Sequence, residues 1–220
     1  MNFKDRCLGF LIDQTGAKYR VYLPLQPSFD SQSEETISLQ SLLSQPHPLG
    51  RIDRLKLGLK LAMSVMQLQN TGWLNERWSK KDIVFFRDSN DHGKVKLEYP
   101  MLRQVFSASS NSSTADSVTA YDKRLISLGI ILLELWLWKP LEEFCRLEDG
   151  IEPCSWSDTK ACDVARNAYK MHLSQDAVPK YSEVVWLCLV GLGHGKPDWT
   201  SNEFKADVWK RIISPLAGLV

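Results

Sequence analysis

Leu74 to Phe86 reads LNERWSKKDIVFF. A run of mixed charges passes straight into four apolar residues, Ile83 to Phe86, which the pattern predicts as a short strand. A charged loop entering a strand is a common way to hold side chains at the mouth of a cleft, because loops carry function on a rigid support. Whether this loop holds a working set of catalytic groups, or only their outline, depends on what surrounds it.

Upstream, Arg51 to Gln69 is predicted as an amphipathic helix. Ile52, Leu55, Leu59, Ala62 and Met66 recur at helical spacing, flanked by Leu61, Val65 and Leu68, and Gly72 supplies a stop. Before it, Cys7–Asp13 and Tyr19–Leu23 predict a hairpin around Gln14-Thr15-Gly16. Pro24 to Thr36 is a polar loop. Ser38 then caps a short helix, LQSLL, which Pro46 and Pro48 end.

Downstream, a turn through Asp88–Gly93 leads to a second strand at Lys94–Glu98. Ser107 to Ser117, SASSNSSTADS, is low-complexity and expected to be mobile. Leu125 to Trp138, LISLGIILLELWLW, is apolar at 11 of 14 positions. It falls short of the roughly 20 residues that span a bilayer. It predicts a helix, from about Tyr121, buried on nearly all sides. Glu134 in that helix is costly unless it is paired, so a hydrogen bond or ion pair is expected there. Further helices are predicted near Pro140–Leu147, Thr159–His172, Tyr181–Leu192 and Ser201–Ile213, the last with a capping box, Thr200-x-x-Glu203. Strands this few and local argue against a parallel sheet.

The totals are those of an ordinary globular chain: 220 residues, 44% hydrophobic and 24% charged. A net charge of +1 creates no global field for nucleic acid or a membrane surface. The five cysteines, Cys7, Cys145, Cys154, Cys162 and Cys188, form no CxxC pair. With no secretory apolar run in MNFKDRCLGF, they predict free thiols and a cytoplasmic location. The glycosylation sequon Asn111-Ser112-Ser113 carries no weight in that compartment. Gly191 to Lys196 does not keep a nucleotide-loop spacing, and His172 and His194 have no nucleophile at a recognisable spacing.

The order of elements resembles the large, mostly helical lobe of the protein kinases. Leu68 to Val84 lies without a gap on the kinase pattern L-H-x-x-G-x-x-H-R-D-x-K-x-x-N-I-L. Ser127 to Trp136 is similar to the kinase S-x-G-x-x-L-x-E-L helix, and Tyr181 to Leu189, YSEVVWLCL, to a later helix with a Cys-Leu pair. More narrowly, the chain resembles a fungal kinase-like domain often found C-terminal to HeLo-type prion-inhibition domains. The features are RLKLGLKLAMSVMQLQNTGWL, the run Trp78–Ile83, LGIILLELW and VWKRIISPL, and they cover roughly Cys7 to Leu216. The resemblance implies a mainly α fold with small antiparallel β hairpins. Residues 1–36 would form a vestigial N-terminal hairpin and linker, and residues 37–220 a kinase-like large lobe. It also implies signalling, in non-self recognition or regulated cell death.

The same resemblance implies that catalysis is lost. Phosphoryl transfer uses a base to orient the hydroxyl, ligands for magnesium and cations over the phosphates. The catalytic aspartate falls on Arg77, the loop lysine on Ser79 beside Lys80, and the metal-binding asparagine on Asp82. The D-F-G triplet falls on Tyr99-Pro100-Met101, and the aspartate that opens the central helix on Arg124, near Asp122. Met1–Gly50 carries no glycine-rich phosphate loop.

The expected function is therefore a catalytically inactive interaction module. It has a protein partner, no cofactor or metal, no nucleic acid and no membrane insertion. The alternative is an atypical nucleotide-binding or phosphotransferase domain using Asp82 with Lys80 or Lys81. A third reading is a helical enzyme of another class. Arg77, Lys80, Lys81 and Asp82 are the residual cleft residues, against the plainer readings of a solvated face and a Ser79–Asp82 turn bond. Trp73 and Trp78 are candidate interaction anchors, against packing beneath the loop they flank.

Overall fold

The computed structural model describes residues 7–12, 18–22, 36–46, 49–71, 73–87, 95–103, 122–145, 157–193 and 197–220. The expected turns at Gln14–Gly16 and Asp88–Gly93, the loop at 24–35, the Ser-rich segment 107–117 and His194 lie outside them. The described chain is mainly helical, with a small three-stranded antiparallel sheet and a separate two-stranded ladder.

The ladder is the expected hairpin. Strand β1 (Cys7–Ile12) pairs with β2 (Lys18–Tyr22), Phe10 opposite Arg20. The sheet runs in the order β3 (Thr36–Ser38), β4 (Ile83–Phe86) and β5 (Met101–Leu102). Ile37 lies opposite Phe85, and Val84 opposite Met101. The strand expected at Lys94–Glu98 contributes only one bridge, Val95 to Arg87. Ile83, Val84 and Phe85 are all buried, so β4 is a central strand and needs partners on both edges. The three residues of β3 are too few to show a period.

Ser38 caps α1 (Leu39–Leu43) as expected, its hydroxyl accepting from the Ser41 amide at 3.1 Å. Helix α2 spans Arg51–Leu68 and buries most of the expected face, with Leu59, Met66 and Leu68 partly buried against the core and Ile52 the exception. Ile52 is 51% exposed, and the core side is Leu55, Leu57, Gly58, Leu61, Ala62 and Val65. Gly58 lies against its neighbour: a Cβ there would lie 2.8 Å from Leu132 Cδ2.

That neighbour is α3 (Lys123–Leu137), the buried helix expected from the sequence. Leu125, Leu128 and Ile131 through Trp136 are buried. On another side it meets α6 (Pro179–Val190), where a Cβ on Gly129 would lie 2.8 Å from Cys188 Cβ. Tyr181, buried in α6, donates its hydroxyl to the Leu132 carbonyl at 2.8 Å. Arg54 of α2 donates to the Trp136 carbonyl at 2.7 Å. The Arg54 bond satisfies a carbonyl in the last turn of α3, where no intrahelical partner remains, while the Tyr181 bond adds a second donor to a carbonyl within the helix.

After α3 comes a 3-10 helix, Leu141–Phe144, shorter than the helix expected there. Helix α4 (Asp158–Ala168) continues through a π-helical turn, Tyr169–Leu173, into α5 (Ser174–Asp176). The chain closes with α7 (Asn202–Val208), a second π turn, Trp209–Ile213, and α8 (Ser214–Ala217). The expected capping box is displaced by one residue. Ser201, not Thr200, accepts from the Phe204 amide at 3.4 Å. Thr200 is taken by Asp198, to whose carboxylate its hydroxyl donates at 2.6 Å. No helix among the described residues is long and apolar enough to cross a membrane.

Asp122 joins the two ends of the helical layer. One carboxylate oxygen accepts from the Leu125 amide at 2.9 Å, capping α3, and the other accepts from Trp199 Nε1 at 2.6 Å. Asp122→Ala removes a cap and strands a buried indole N–H. It is expected to cost about 2 kcal/mol in chemical denaturation. Asp122→Asn, which keeps an acceptor, is expected to cost less than half of that.

Candidate functional site

The loop Leu74–Asp82 is held from both sides. Leu74 is buried, and Trp78 is 3% exposed with its Nε1 donating to the Arg124 carbonyl at 3.1 Å, which fixes the loop to the start of α3. From the sheet side, the Gln40 amide donates to the Lys80 carbonyl at 3.2 Å. Arg103, just past β5, donates its amide to the Asp82 carbonyl at 2.7 Å and its guanidinium to the Lys81 carbonyl at 3.0 Å.

So held, the loop forms one wall of a cleft of about 270 Å³. The N-terminal half of α3 supplies a second wall through Lys123, Ile126, Ser127 and Ile130. Leu141 and Glu142 of the 3-10 helix, with Ala161 and Cys162 of α4, complete it.

The polar side chains expected to line a residual active site fall into three groups. Asp82 turns back on its own loop. Its Oδ2 accepts from the Ser79 amide at 2.8 Å and from the Ser79 hydroxyl at 3.0 Å. This is the side-chain-to-backbone turn that Ser-x-x-Asp favours. Lys80, 6% exposed, is buried between two carboxylates: it pairs with Glu134 and with Glu142, the latter at 2.5 Å. Arg77 and Lys81 are exposed on the cleft's rim. Lys123 joins them there, 3.8 Å from Glu76.

Glu134 has the partner its apolar helix demanded. Besides Lys80 it accepts from the Leu141 amide at 2.7 Å, tying α3 to the 3-10 helix. Burial pushes its carboxyl up to about 7, against the pull of the Lys80 ammonium and the Leu141 amide, which both favour the ionised form.

The remaining expected positions are dispersed. Tyr99 is 73% exposed, and Met101 sits in β5. Among the described residues no three His, Cys, Asp or Glu side chains are placed to hold a metal ion. The two tryptophans part company: Trp73 is 47% exposed, whereas Trp78 packs beneath the loop, 3% exposed, at the wall of the cleft.

Sequence reasoning missed Glu142, Lys123 and Cys162 as cleft residues. Glu142-Glu143 reads as a solvated pair, and only the need of Glu134 for a cation pointed towards this cluster. No curated protein and no solved structure matches the chain. A family model does match, over residues 3–217, and the chain belongs to that family, described as Domain of unknown function (DUF7580).

Proposed function

We propose that the chain is a catalytically inactive interaction module on a kinase-like scaffold, serving a signalling pathway through a protein partner. The observation that carries this reading is how the loop spends its polar groups. Phosphoryl transfer relies on groups left open to metal and phosphate. Here Asp82 is bonded to Ser79, Lys80 is enclosed by Glu134 and Glu142, and Arg77 is a guanidinium where the kinase pattern has its base. Each group serves the framework of the loop or carries the wrong charge for the chemistry. The packing of α2 on α3, with the loop pinned to the start of α3, fits the kinase-like arrangement.

Thermal denaturation with millimolar ATP and Mg²⁺ tests this. A nucleotide at 100 times its dissociation constant would stabilise the fold by about 2.7 kcal/mol, a rise of roughly 5–10 °C at this chain length. The expected shift is nil. Mg²⁺-dependent transfer of phosphate from labelled ATP, abolished by Asp82→Ala, would overturn the proposal in favour of an atypical phosphotransferase.

A further inference from the structure

We propose that the cleft between the Leu74–Asp82 loop, α3 and the 3-10 helix docks an acidic peptide segment of a partner protein, with at least one large apolar side chain of that segment seated on the cleft floor. This rests on the reading of the chain as an interaction module and names the chemistry of the partner.

Three features point to that occupant. The first is charge. Four cations line the cleft, Arg77, Lys80, Lys81 and Lys123, against two carboxylates, Glu134 and Glu142. The lining difference is +2, and +1 once Glu76 beside Lys123 is counted, so the cleft carries a positive excess. Both carboxylates are turned onto Lys80, and the side chains of Arg77, Lys81 and Lys123 stand at the rim. Glu76 offsets Lys123 only from 3.8 Å and with 61% of its side chain in solvent, where screening is strong.

The second feature is the floor. Ile126, Ile130 and Leu141 present apolar surface inside the cationic rim. An inorganic anion has no use for such a surface, whereas a peptide's leucine or phenylalanine does. The third is size. Pockets that enclose a drug-sized ligand run to roughly 300–1,000 Å³. A cleft of about 270 Å³ suits one or two side chains of an extended segment better than an enclosed nucleotide. Carboxylates flanking the seated side chain would meet the rim cations, which gives orientation and a salt-dependent association rate.

The test is selection of a phage-displayed library of random 12-residue peptides on the wild-type protein. Selected peptides are then measured by fluorescence polarisation. The expected sequences are rich in Asp and Glu around one or more large apolar residues. Arg77→Glu with Lys81→Glu, both at exposed positions, is expected to weaken them at least tenfold. Ile126→Ala is expected to weaken them severalfold. Lys56→Glu with Lys210→Glu makes the same charge change at exposed positions outside the cleft and is expected to leave affinity unchanged.

Enrichment of basic or neutral peptides, equal binding to the rim variant, or no enrichment at all would overturn the docking inference. Those results leave the reading of an inactive module standing, since it is judged by the nucleotide measurements. Conversely, ATP-dependent phosphorylation of the selected peptides would overturn that reading while the docking inference survived. Displacement of the peptides by ATP and Mg²⁺ at submillimolar concentration would overturn both.

Discussion

Lys80→Met is expected to lower stability by about 3–5 kcal/mol at pH 9, and by less as the pH falls towards 6. The magnitude is that of removing one partner from a buried pair. The pH dependence follows from Glu134, 1% exposed, which keeps its place in α3 whatever happens to Lys80. In the wild-type protein its carboxyl titrates at about 7, above the ordinary 4.5. The folded state therefore holds the proton more tightly than the unfolded chain does. The stability this contributes is complete below about pH 4.5 and is lost as the pH rises to about 7.

Removing the ammonium takes away a group that pulls the carboxyl down, so in the variant the proton is held to still higher pH. Above pH 7 the wild-type carboxyl is already ionised and its stability no longer falls on this account. The variant goes on losing up to about 1.4 kcal/mol per pH unit. Urea titrations at pH 6, 7.5 and 9 are expected to show the gap widening.

Glu134→Gln keeps an acceptor for the Leu141 amide, and Lys80 keeps Glu142. Combined with Lys80→Met, it leaves no unpaired buried charge; Glu142, which loses Lys80, is 35% exposed and can be solvated. The double variant is expected to recover at least half of the loss at pH 9 and to show no widening with pH. A double variant as unstable as the sum of its parts would show that the pair is not the source of the effect.

Gly129→Val is expected to cost at least about 3 kcal/mol, a fall of roughly 6–12 °C in Tm. The obstruction is already present in the first carbon. A Cβ at this position meets Cys188 Cβ at 2.8 Å and Leu189 Cδ2 at 3.1 Å, and the Cβ of Cys188 cannot swing aside as the end of a long side chain can. The two helices must part, and α3 is held on its other side by α2 at Gly58. Gly129→Ala gains up to about 1 kcal/mol in helix propensity and is still expected to destabilise. Cys188→Gly, made in that background, should restore part of the loss. Cys188→Ala, which keeps the offending carbon, should restore none, and calorimetry of the three variants distinguishes this contact from a general intolerance of change at position 129.

These two sites also mark how far the sequence could be read. The helices containing Leu55–Val65 and Leu125–Trp136 were legible because apolar residues recur at the helical period or fill the helix on all sides. Glu134 was legible as a paired group, because hydrocarbon surroundings make an unpaired carboxylate expensive. Its second neighbour, Glu142, was not, since nothing in Pro140–Phe144 distinguishes a buried acid from a solvated one. The place of Gly58 on the buried face of α2 was hidden because glycine has no side chain to count, yet α3 approaches closely there. The displaced cap at Ser201 was hidden because Thr200 and Ser201 are chemically equivalent caps, and Asp198 breaks the tie. Of the loop residues singled out, Arg77, Lys80 and Lys81 line the cleft and Asp82 does not. Their separation into a buried pair, a self-bonded turn and an exposed rim depends on tertiary contacts that no local pattern encodes.

Thr36 lies opposite Phe86 in the central sheet, fifty positions further along the chain, with the whole of α2 between them. A strand pairing of that span brings no reward until a long loop has been closed, whereas each helical bond joins residues four apart. The pairing of β3 with β4 is thus expected to form late in folding, on helices that are already in place. The three residues of β3, slight as they are, decide whether the rim has a foundation at all.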